Sequence, residues 1–342
     1  MAHEHGKSLR VTTGVVVVGL VAGAGYGGYN LRQWADNWNR AAEKSVAPPQ
    51  ADAAIAPQLL TWQQAGRIST GLASVKSFAI LKDGSVIVAG ERTLRLLSAK
   101  GDILRDIPLA GMPQAVAAMK TPQGPVFFAG MKDRVEMYDA EGKLFSSWAI
   151  TGDNAFVTCV TAGADGRSVW VADAGRRIVE QYDLTGKLLR EVGRENPETH
   201  APGLVVPSAH LDVALAADGT VWVNNPGRHE MEAFDAHGEM IRQWGRAGSD
   251  IRAFAGCCNP TDFFLLGDGR IVTAEKAMPR VKVFDSAGVL QSVIATDFAP
   301  EAAGIDVAGD SAGRVWILDP VSHDLRVYAP KAPAPGGLAG NL

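Results

Sequence analysis

Residues 165–186 read DGRSVWVADAGRRIVEQYDLTG, and residues 218–238 read DGTVWVNNPGRHEMEAFDAHG. Each stretch begins with an Asp-Gly turn, continues through an apolar strand and a polar loop, and ends with a second apolar strand, an aromatic residue and Asp-x-x-Gly. The turn glycine returns at intervals of 40 to 53 residues, at Gly84, Gly124, Gly166, Gly219, Gly269 and Gly313. A repeat of about 40 residues with four short strands is typical of β-propeller blades. The sequence therefore predicts an all-β fold of six blades.

The sixth copy ends near Tyr328 without an outer strand, and a matching piece precedes the first copy. Residues 59–62 (Leu-Leu-Thr-Trp), followed by Gly66, resemble the outer strands that end at Trp148 and Trp244. Pairing of residues near 59–64 with the sixth blade would close the ring and remove an exposed sheet edge. In the fifth copy we expect strands at 262–266, 271–274, 281–284 and 289–294.

The repeated phrase resembles the NHL repeat family of six-bladed propellers over residues 58–329. Copies three to five match well, whereas the first has Leu97-Ser98 in place of aromatic-Asp and the sixth ends at Tyr328-Ala329. The resemblance implies an NHL/TolB-like propeller in a family that includes scaffolds, ligand sensors and a few enzymes. It transfers the fold and not an activity.

The N-terminal region reads as a membrane anchor. Residues 11–29 form a nineteen-residue stretch without charge, preceded by Lys7 and Arg10. This length just spans a bilayer, and the flanking cations keep residues 1–10 cytoplasmic and export the rest. A cleaved signal peptide, ending at the small residues 22–24, is the alternative and exports the chain equally.

The remaining boundaries follow from this anchor and from the repeat. We expect one transmembrane helix at 11–29, a juxtamembrane segment and linker at 30–57, the propeller at 58–329 and a flexible tail at 330–342. The propeller would lie on the extracytoplasmic side, periplasmic or outer. A net charge of −4 with a pI near 6.0 gives no electrostatic footprint for nucleic acid.

Propeller topology divides the connections between two faces. The turn face holds the Asp-Gly and Asp-x-x-Gly turns, which are short and regular. The loop face holds the connections into each inner strand and the loops between second and third strands. Inserts at 194–208 and 246–259 lengthen two copies on the loop face, so we place the candidate site there, at the mouth of the central channel.

Aligning the inner strands on their turn glycines gives one residue per blade at the same level of the channel. The occupants of this ring position are Ser77, Ala117, Cys159, Asp212, Asp262 and Asp306. The three carboxylates of successive blades could hold a hard cation. Alternatively, each Asp accepts hydrogen bonds from nearby backbone N–H groups and fixes its own blade. Cys159 is expected to be a buried apolar residue.

Residues 256–262 (GCCNPTD) lead into the fifth inner strand and contain the adjacent pair Cys257 and Cys258. Three interpretations remain open: a strained, redox-active vicinal disulfide, a thiolate pair for a soft metal with Met278 as helper, or two small residues in a crowded loop. Three cysteines cannot supply the four ligands of an iron–sulfur cluster, and no Cys-x-x-Cys-His is present for covalent haem.

Polar residues around this pair complete the candidate site. Asn259 and Asp262 follow the cysteines, and the next loop on the same face brings Glu275, Lys276 and Arg280. The two cations could lower a thiol pKa or bind an anionic ligand. The alternative is a solvated cluster of salt bridges on a loop.

Three histidines, His210, His229 and His323, also fall on loop-face segments. With nearby Asp they could bind a catalytic metal, although no His-x-His or His-Glu-x-x-His spacing supports this and histidine is common in exposed loops.

Taken together, the sequence favours a membrane-tethered binding or scaffolding module over an enzyme. Its loop face would contact a partner protein at the membrane or in the envelope, or a small ligand. A redox-active cysteine pair would suit an envelope redox partner. The alternative is a metal-dependent lyase or hydrolase at the channel mouth. The only cofactor that the residues suggest is a divalent or soft metal ion.

Overall fold

A computed structural model describes residues 55–198 and 201–332 and consists of six four-stranded antiparallel sheets. Inner strands of neighbouring sheets contact one another all the way round, which confirms the predicted six-bladed propeller. The segments predicted at 1–10 and 11–29, most of the linker and most of the tail lie outside the described residues. Within the described ranges, no helix has the length and apolar character needed to cross a membrane.

The described chain opens with a short 3₁₀ helix at Pro57–Leu59 and with strand β1 at Trp62–Ser69. Blades 1 to 5 then each take four consecutive strands, from the channel outward. Their bounds are β2 (Ser77–Ile80), β3 (Val86–Gly90), β4 (Thr93–Leu97) and β5 (Ile103–Pro108) in blade 1; β6 (Ala115–Thr121), β7 (Gly124–Gly130), β8 (Arg134–Tyr138) and β9 (Leu144–Ala149) in blade 2; β10 (Val157–Ala162), β11 (Ser168–Asp173), β12 (Ile178–Asp183) and β13 (Leu188–Val192) in blade 3; β14 (Val213–Leu215), β15 (Val221–Asn225), β16 (Glu230–Phe234) and β17 (Met240–Trp244) in blade 4; β18 (Asp262–Leu265), β19 (Ile271–Glu275), β20 (Arg280–Phe284) and β21 (Leu290–Ala295) in blade 5.

Blade 6 is assembled from both ends of the propeller. It contains β22 (Asp306–Gly309), β23 (Val315–Asp319) and β24 (Asp324–Pro330), and β1 pairs antiparallel with β24 as the outer strand. The predicted ring closure is confirmed, but the closing strand begins at Trp62 rather than near residue 59. A bulge between Gln64 and Gly66 shifts the register, and the pairing then continues to Ser69.

In blades 2 to 5, Asp-x-x-Gly turns join the third strand to the outer strand. In blade 3, the Asp183 carboxylate accepts the backbone N–H groups of Thr185 and Lys187, and Gly186 has a φ of +85°, which favours glycine. Blade 1 lacks this aspartate, and there the Ser98 hydroxyl accepts two backbone N–H groups across the same turn. A hydroxyl thus replaces the carboxylate in the copy that departs from the repeat.

The second and third strands carry the apolar core between blades, while the outer strands are largely exposed. Each third strand also holds a charged residue two positions before the aromatic residue of the repeat, or before Leu97 in blade 1. These residues are Arg95, Glu136, Glu180, Glu232, Lys282 and Arg326. Every one has a polar partner, and the side-chain partners are, in the same order, Asp106, Arg134, Arg176, Asn225, Glu275 and Asp319. The sign of the charge therefore differs between copies that share one backbone.

Candidate functional site

The inner strands surround a central cavity of about 380 Å³. Its lining runs from Lys76 and the three predicted carboxylates at the loop-face end to Gly309 at the turn-face end. The structure therefore brings Asp212, Asp262 and Asp306 together in one cavity, as the alignment of the turn glycines predicted. A cavity of this size falls within the range of small-molecule sites.

Each carboxylate reaches forward to the inner strand of the following blade. Backbone N–H groups there donate to it, so the side chains join blade 4 to 5, blade 5 to 6 and blade 6 to 1. These bonds are Phe263 N to Asp212 Oδ2 (2.9 Å), Val307 N to Asp262 Oδ1 (3.0 Å) and Phe78 N to Asp306 Oδ2 (2.7 Å). The expectation that each Asp fixes its own blade is wrong for Asp262 and Asp306. Asp212 does both, because it also accepts Val213 N at 2.7 Å.

Hydroxyl groups make the equivalent links elsewhere in the ring. Ser77 Oγ accepts the N–H of Val116 in the next blade at 3.3 Å, and Thr158 Oγ1 donates to the Leu211 carbonyl at 2.6 Å. Cys159 is half-buried on the channel wall, 3.6 Å from Thr161 Oγ1, rather than a fully buried apolar residue. Ser77 and the three ring-position aspartates therefore join neighbouring blades, and Thr158, next to the ring position, does so in blade 3.

Burial of the three carboxyl groups changes their protonation. Desolvation raises the pKa of Asp306 to about 7 and that of Asp212 to about 6. The pKa of Asp262 lies well above its ordinary value, because of burial first and the charges of Asp306 and Asp212 second. The cluster therefore holds protons at a pH where isolated carboxyl groups would have lost them.

Substitution of Asp306 should reveal this proton uptake. A raised folded-state pKa means that this group's contribution to stability is fully present below the unfolded pKa of about 3.9 and is lost as pH rises through about 7. Asp306→Asn keeps an oxygen for the Phe78 N–H. Between pH 5 and 7, its free energy of unfolding should therefore rise relative to that of the unsubstituted chain, by up to about 1.4 kcal/mol per pH unit. Urea denaturation across this pH range measures the gain.

The control for this experiment is Asp218→Asn. Asp218 is exposed in a turn, and its pKa is lowered by hydrogen bonds from Thr220. The difference in free energy of unfolding between Asp218→Asn and the unsubstituted chain should therefore stay constant above pH 5. An unchanged slope in Asp306→Asn would contradict the assignment of a protonated cluster.

The cysteine pair lies at the loop-face connection into blade 5. Cys257 is exposed and Cys258 is buried; both are free thiols with their sulfur atoms 2.9 Å apart. Burial and the neighbouring Cys258 thiol raise the pKa of Cys257, although the Lys276 charge opposes the shift. Lys276 lowers the pKa of Cys257 as expected, but desolvation and the Cys258 thiol outweigh this effect, so the net shift is upward.

Asn259 is fully buried and holds two loops together. Its Nδ2 donates to the Lys276 carbonyl at 2.9 Å and to the Ala255 carbonyl, while its Oδ1 accepts the Lys276 N–H at 2.9 Å. On the other side of the pair, His229 Nε2 and the Gly256 carbonyl are 2.9 Å apart. The side chain of Asn259 has no surface to offer a partner, contrary to its predicted role.

Glu275 and Arg280, also predicted to contact a ligand or partner, are buried as well. Glu275 Oε2 accepts Arg280 Nη2 at 3.0 Å and Ala255 N at 2.9 Å, and Oε1 lies 2.5 Å from Lys282 Nζ. These three charged side chains are at most 1% exposed. The predicted solvated cluster is therefore a buried ion network.

The insert at 246–259 covers this network. Lys282 Nζ donates to the Ala253 carbonyl at 2.7 Å and lies 4.8 Å from the centre of the Phe254 ring. Burial lowers the pKa of Lys282 to about 8, and Glu275 opposes that shift. Lys282 was not among the predicted site residues, because the alternation Val281-Lys282-Val283 indicates a strand and nothing more. The available signal was the long insert that precedes this blade.

At the channel mouth Lys76 is exposed, and Ser208, His210 and Lys276 are half-buried. Lys276 Nζ donates to Ser208 Oγ at 3.0 Å, linking the loops of blades 5 and 4. The pKa of His210 falls to about 3 because of burial first and the charges of Lys276 and Lys76 second.

Two of the three histidines, His229 and His323, occupy the same position in their blades. His229 and His323 have positive φ values of 62° and 59°, a conformation that Arg177 and Ala277 adopt in the equivalent loops. These histidines thus occupy the left-handed position of the loop between second and third strands. In residues 55–198 and 201–332, no group of three or more His, Cys, Asp or Glu side chains could hold a metal ion.

Comparison with known proteins supports the fold. No family model and no curated protein sequence matches the chain. Among solved structures, a streptogramin B lyase is 16% identical, covering 75% of this chain and 79% of its own, with a TM-score of 0.53. A catalytically inactive virginiamycin B lyase from Staphylococcus aureus, solved with quinupristin, is 14% identical over 75% and 80%, with a TM-score of 0.54.

A third similar structure is the WD40 β-propeller domain of Doa1, which is 14% identical. It covers 79% of this chain and 97% of its own, with a TM-score of 0.52. At these identities the likeness concerns the fold alone, and the neighbours comprise both lyases and a WD40 domain. The chain therefore resembles other propeller proteins in fold and itself adopts a six-bladed β-propeller.

Proposed function

We propose that this chain is an NHL-type propeller, tethered to a membrane on its extracytoplasmic side, that binds a partner protein or small ligand on its loop face. The adjacent cysteines would be its redox-responsive element. The observation that carries the proposal is the channel mouth, where Lys276 reaches Ser208 above the carboxylate-lined cavity. The exposed Lys76 and the half-buried Lys276 would offer cationic contacts to a partner or ligand at this end of the channel.

Rigid support beneath the mouth favours a binding role. Asn259 fixes the Lys276 backbone from both its N–H and its carbonyl, and the Glu275 network anchors the same loop from below. Side chains held in this way lose little further freedom when a partner docks, which favours affinity. The predicted lyase or hydrolase alternative remains a prediction, and no feature of the described residues favours it specifically.

Site-specific photo-crosslinking tests the loop-face proposal with a matched control. Ala209 lies in the mouth and Ala217 in a turn on the opposite face; both are exposed residues of the same blade. With benzoylphenylalanine at each position in turn, in the full chain in its host membranes, we expect a discrete adduct from position 209 only. Equal adducts from both positions, or none from 209, would refute a loop-face site.

Fractionation tests the tether separately. The full chain should stay with the membrane pellet after alkaline extraction, whereas a chain beginning at residue 58 should be released. Release of both chains would refute the tether while leaving the crosslinking result to decide the binding face.

A further inference from the structure

The cysteine pair has an asymmetry that suits thiol–disulfide exchange. The exposed Cys257 is accessible from the loop face, whereas Cys258 is 3% exposed and is shielded from large reagents. Their sulfur atoms are already 2.9 Å apart as thiols. An accessible sulfur backed by a second, protected sulfur is the arrangement in which one thiol attacks and the other resolves.

The surrounding frame holds the two sulfurs in this relation. Gly256, directly before the pair, is bound through its carbonyl to the His229 ring. Asn259, directly after the pair, is bound to the Ala255 and Lys276 backbones. Both ends of the dipeptide are therefore fixed to neighbouring loops.

We infer that Cys257 and Cys258 form a dithiol that exchanges with a disulfide presented at the loop face. The inference rests on the proposed function, since it names the chemistry that a docked partner would bring. Cys257, being accessible, makes the first covalent contact, and Cys258 completes the exchange. The same chemistry could come from a protein disulfide or from a small-molecule disulfide.

The exchange balances in two steps. The Cys257 thiolate attacks one sulfur of the partner disulfide; a Cys257–partner disulfide forms, the partner S–S bond breaks, and the released partner thiolate takes up a proton. The Cys258 thiol then loses its proton and its sulfur attacks that of Cys257, forming the internal disulfide and releasing the second partner thiol. The two thiols of the chain lose two electrons in total, and these electrons reduce one partner disulfide to two thiols.

Mixtures of oxidised and reduced glutathione provide the probe. After equilibration of the full chain, trypsin releases both cysteines in one peptide, 253–270. Mass spectrometry should show this peptide converting to an internal disulfide. Cys258→Ser and Cys258→Ala should both stop at a glutathione adduct on Cys257, and Cys257→Ser should form an adduct roughly tenfold more slowly or less, because Cys258 is shielded. Cys159→Ser, on the channel wall, should behave like the unsubstituted chain.

Two results would overturn the inference: absence of the internal disulfide at every glutathione ratio, or equal adduct rates in Cys257→Ser and Cys258→Ser. In cells, Cys258→Ser should trap the disulfide source on a non-reducing gel. A protein-sized adduct that is absent from Cys257→Ser supports a docked protein, whereas a glutathione adduct alone overturns the docking step and assigns the source to a small molecule.

The photo-crosslink separates this inference from the proposed function. Combining the Ala209 crosslinker with Cys257→Ser/Cys258→Ser should leave the crosslinked adduct intact, because binding does not require the thiols. If position 209 forms the crosslinked adduct but the unsubstituted chain does not exchange with glutathione, the redox inference alone would be overturned. Exchange with no adduct at position 209 would instead refute the loop-face binding proposal.

Discussion

Replacement of Glu275 by alanine should lower the free energy of unfolding by about 3–5 kcal/mol, the usual effect of breaking a buried ion pair from one side. Glu275 forms ion pairs with both Arg280 and Lys282. Its loss would remove the buried carboxylate that these two cations share. It would also remove the acceptor for Ala255 N, which holds the insert next to the cysteine pair. Chemical denaturation of the full chain, followed by tryptophan fluorescence, measures the change.

Two further variants isolate the cause. Glu239→Ala makes the same replacement at an exposed position and should cost less than about 0.5 kcal/mol. Glu275→Ala combined with Lys282→Met should recover part of the loss, since one uncompensated cation is removed. A Glu275→Ala variant as stable as Glu239→Ala would show that the network is not buried in solution.

Replacement of Trp62 by alanine should cost a similar amount, about 3–5 kcal/mol, because it empties a large core position in the ring-closing strand. Trp62 is 5% exposed and packs in the same cluster as Val281, Ile294 and Tyr328. Its Nε1 donates to Ser292 Oγ at 3.0 Å, which joins β1 to blade 5 as well as to β24. The midpoint of guanidinium-induced unfolding should shift to lower denaturant accordingly.

Ser292→Ala separates packing from hydrogen bonding at this position. It removes the partner of Trp62 Nε1 but keeps the ring in place, so it should cost only about 1 kcal/mol. If Trp62→Ala cost no more than Ser292→Ala, the closing strand would contribute little packing and the ring would depend on backbone pairing alone.

The periodic part of this molecule was predictable from the sequence because each blade repeats one local pattern. Turn glycines, apolar alternation and the Asp-x-x-Gly caps are short-range signals, and they located the fifth blade's strands to within about one residue. The predicted bounds of the closing strand differ from the observed ones because its sequence match ends at Trp62. Pairing beyond Gly66 depends on β24, which is more than 250 residues away.

The candidate site was only partly predictable, since its character depends on which groups become buried. The ring-position aspartates were located correctly because register follows from the turns, yet their forward bonds require the position of the next blade. Glu275, Arg280 and Asn259 look like surface loop residues in sequence. Glu275 and Arg280 are buried because the 246–259 insert folds over them, and Asn259, the last residue of that insert, is buried against the Lys276 backbone. No local pattern specifies these contacts.

The charged residue that each third strand buries differs in sign between blades, and its side-chain partner lies in the same blade. A third strand exchanged alone between blades 3 and 5 would place Lys282 beside Arg176 and Glu180 beside Glu275, so that like charges would be buried together. A whole blade would carry both members of its pair. The unit that can be exchanged between positions in the ring is therefore the strand together with its partner, and not the strand alone.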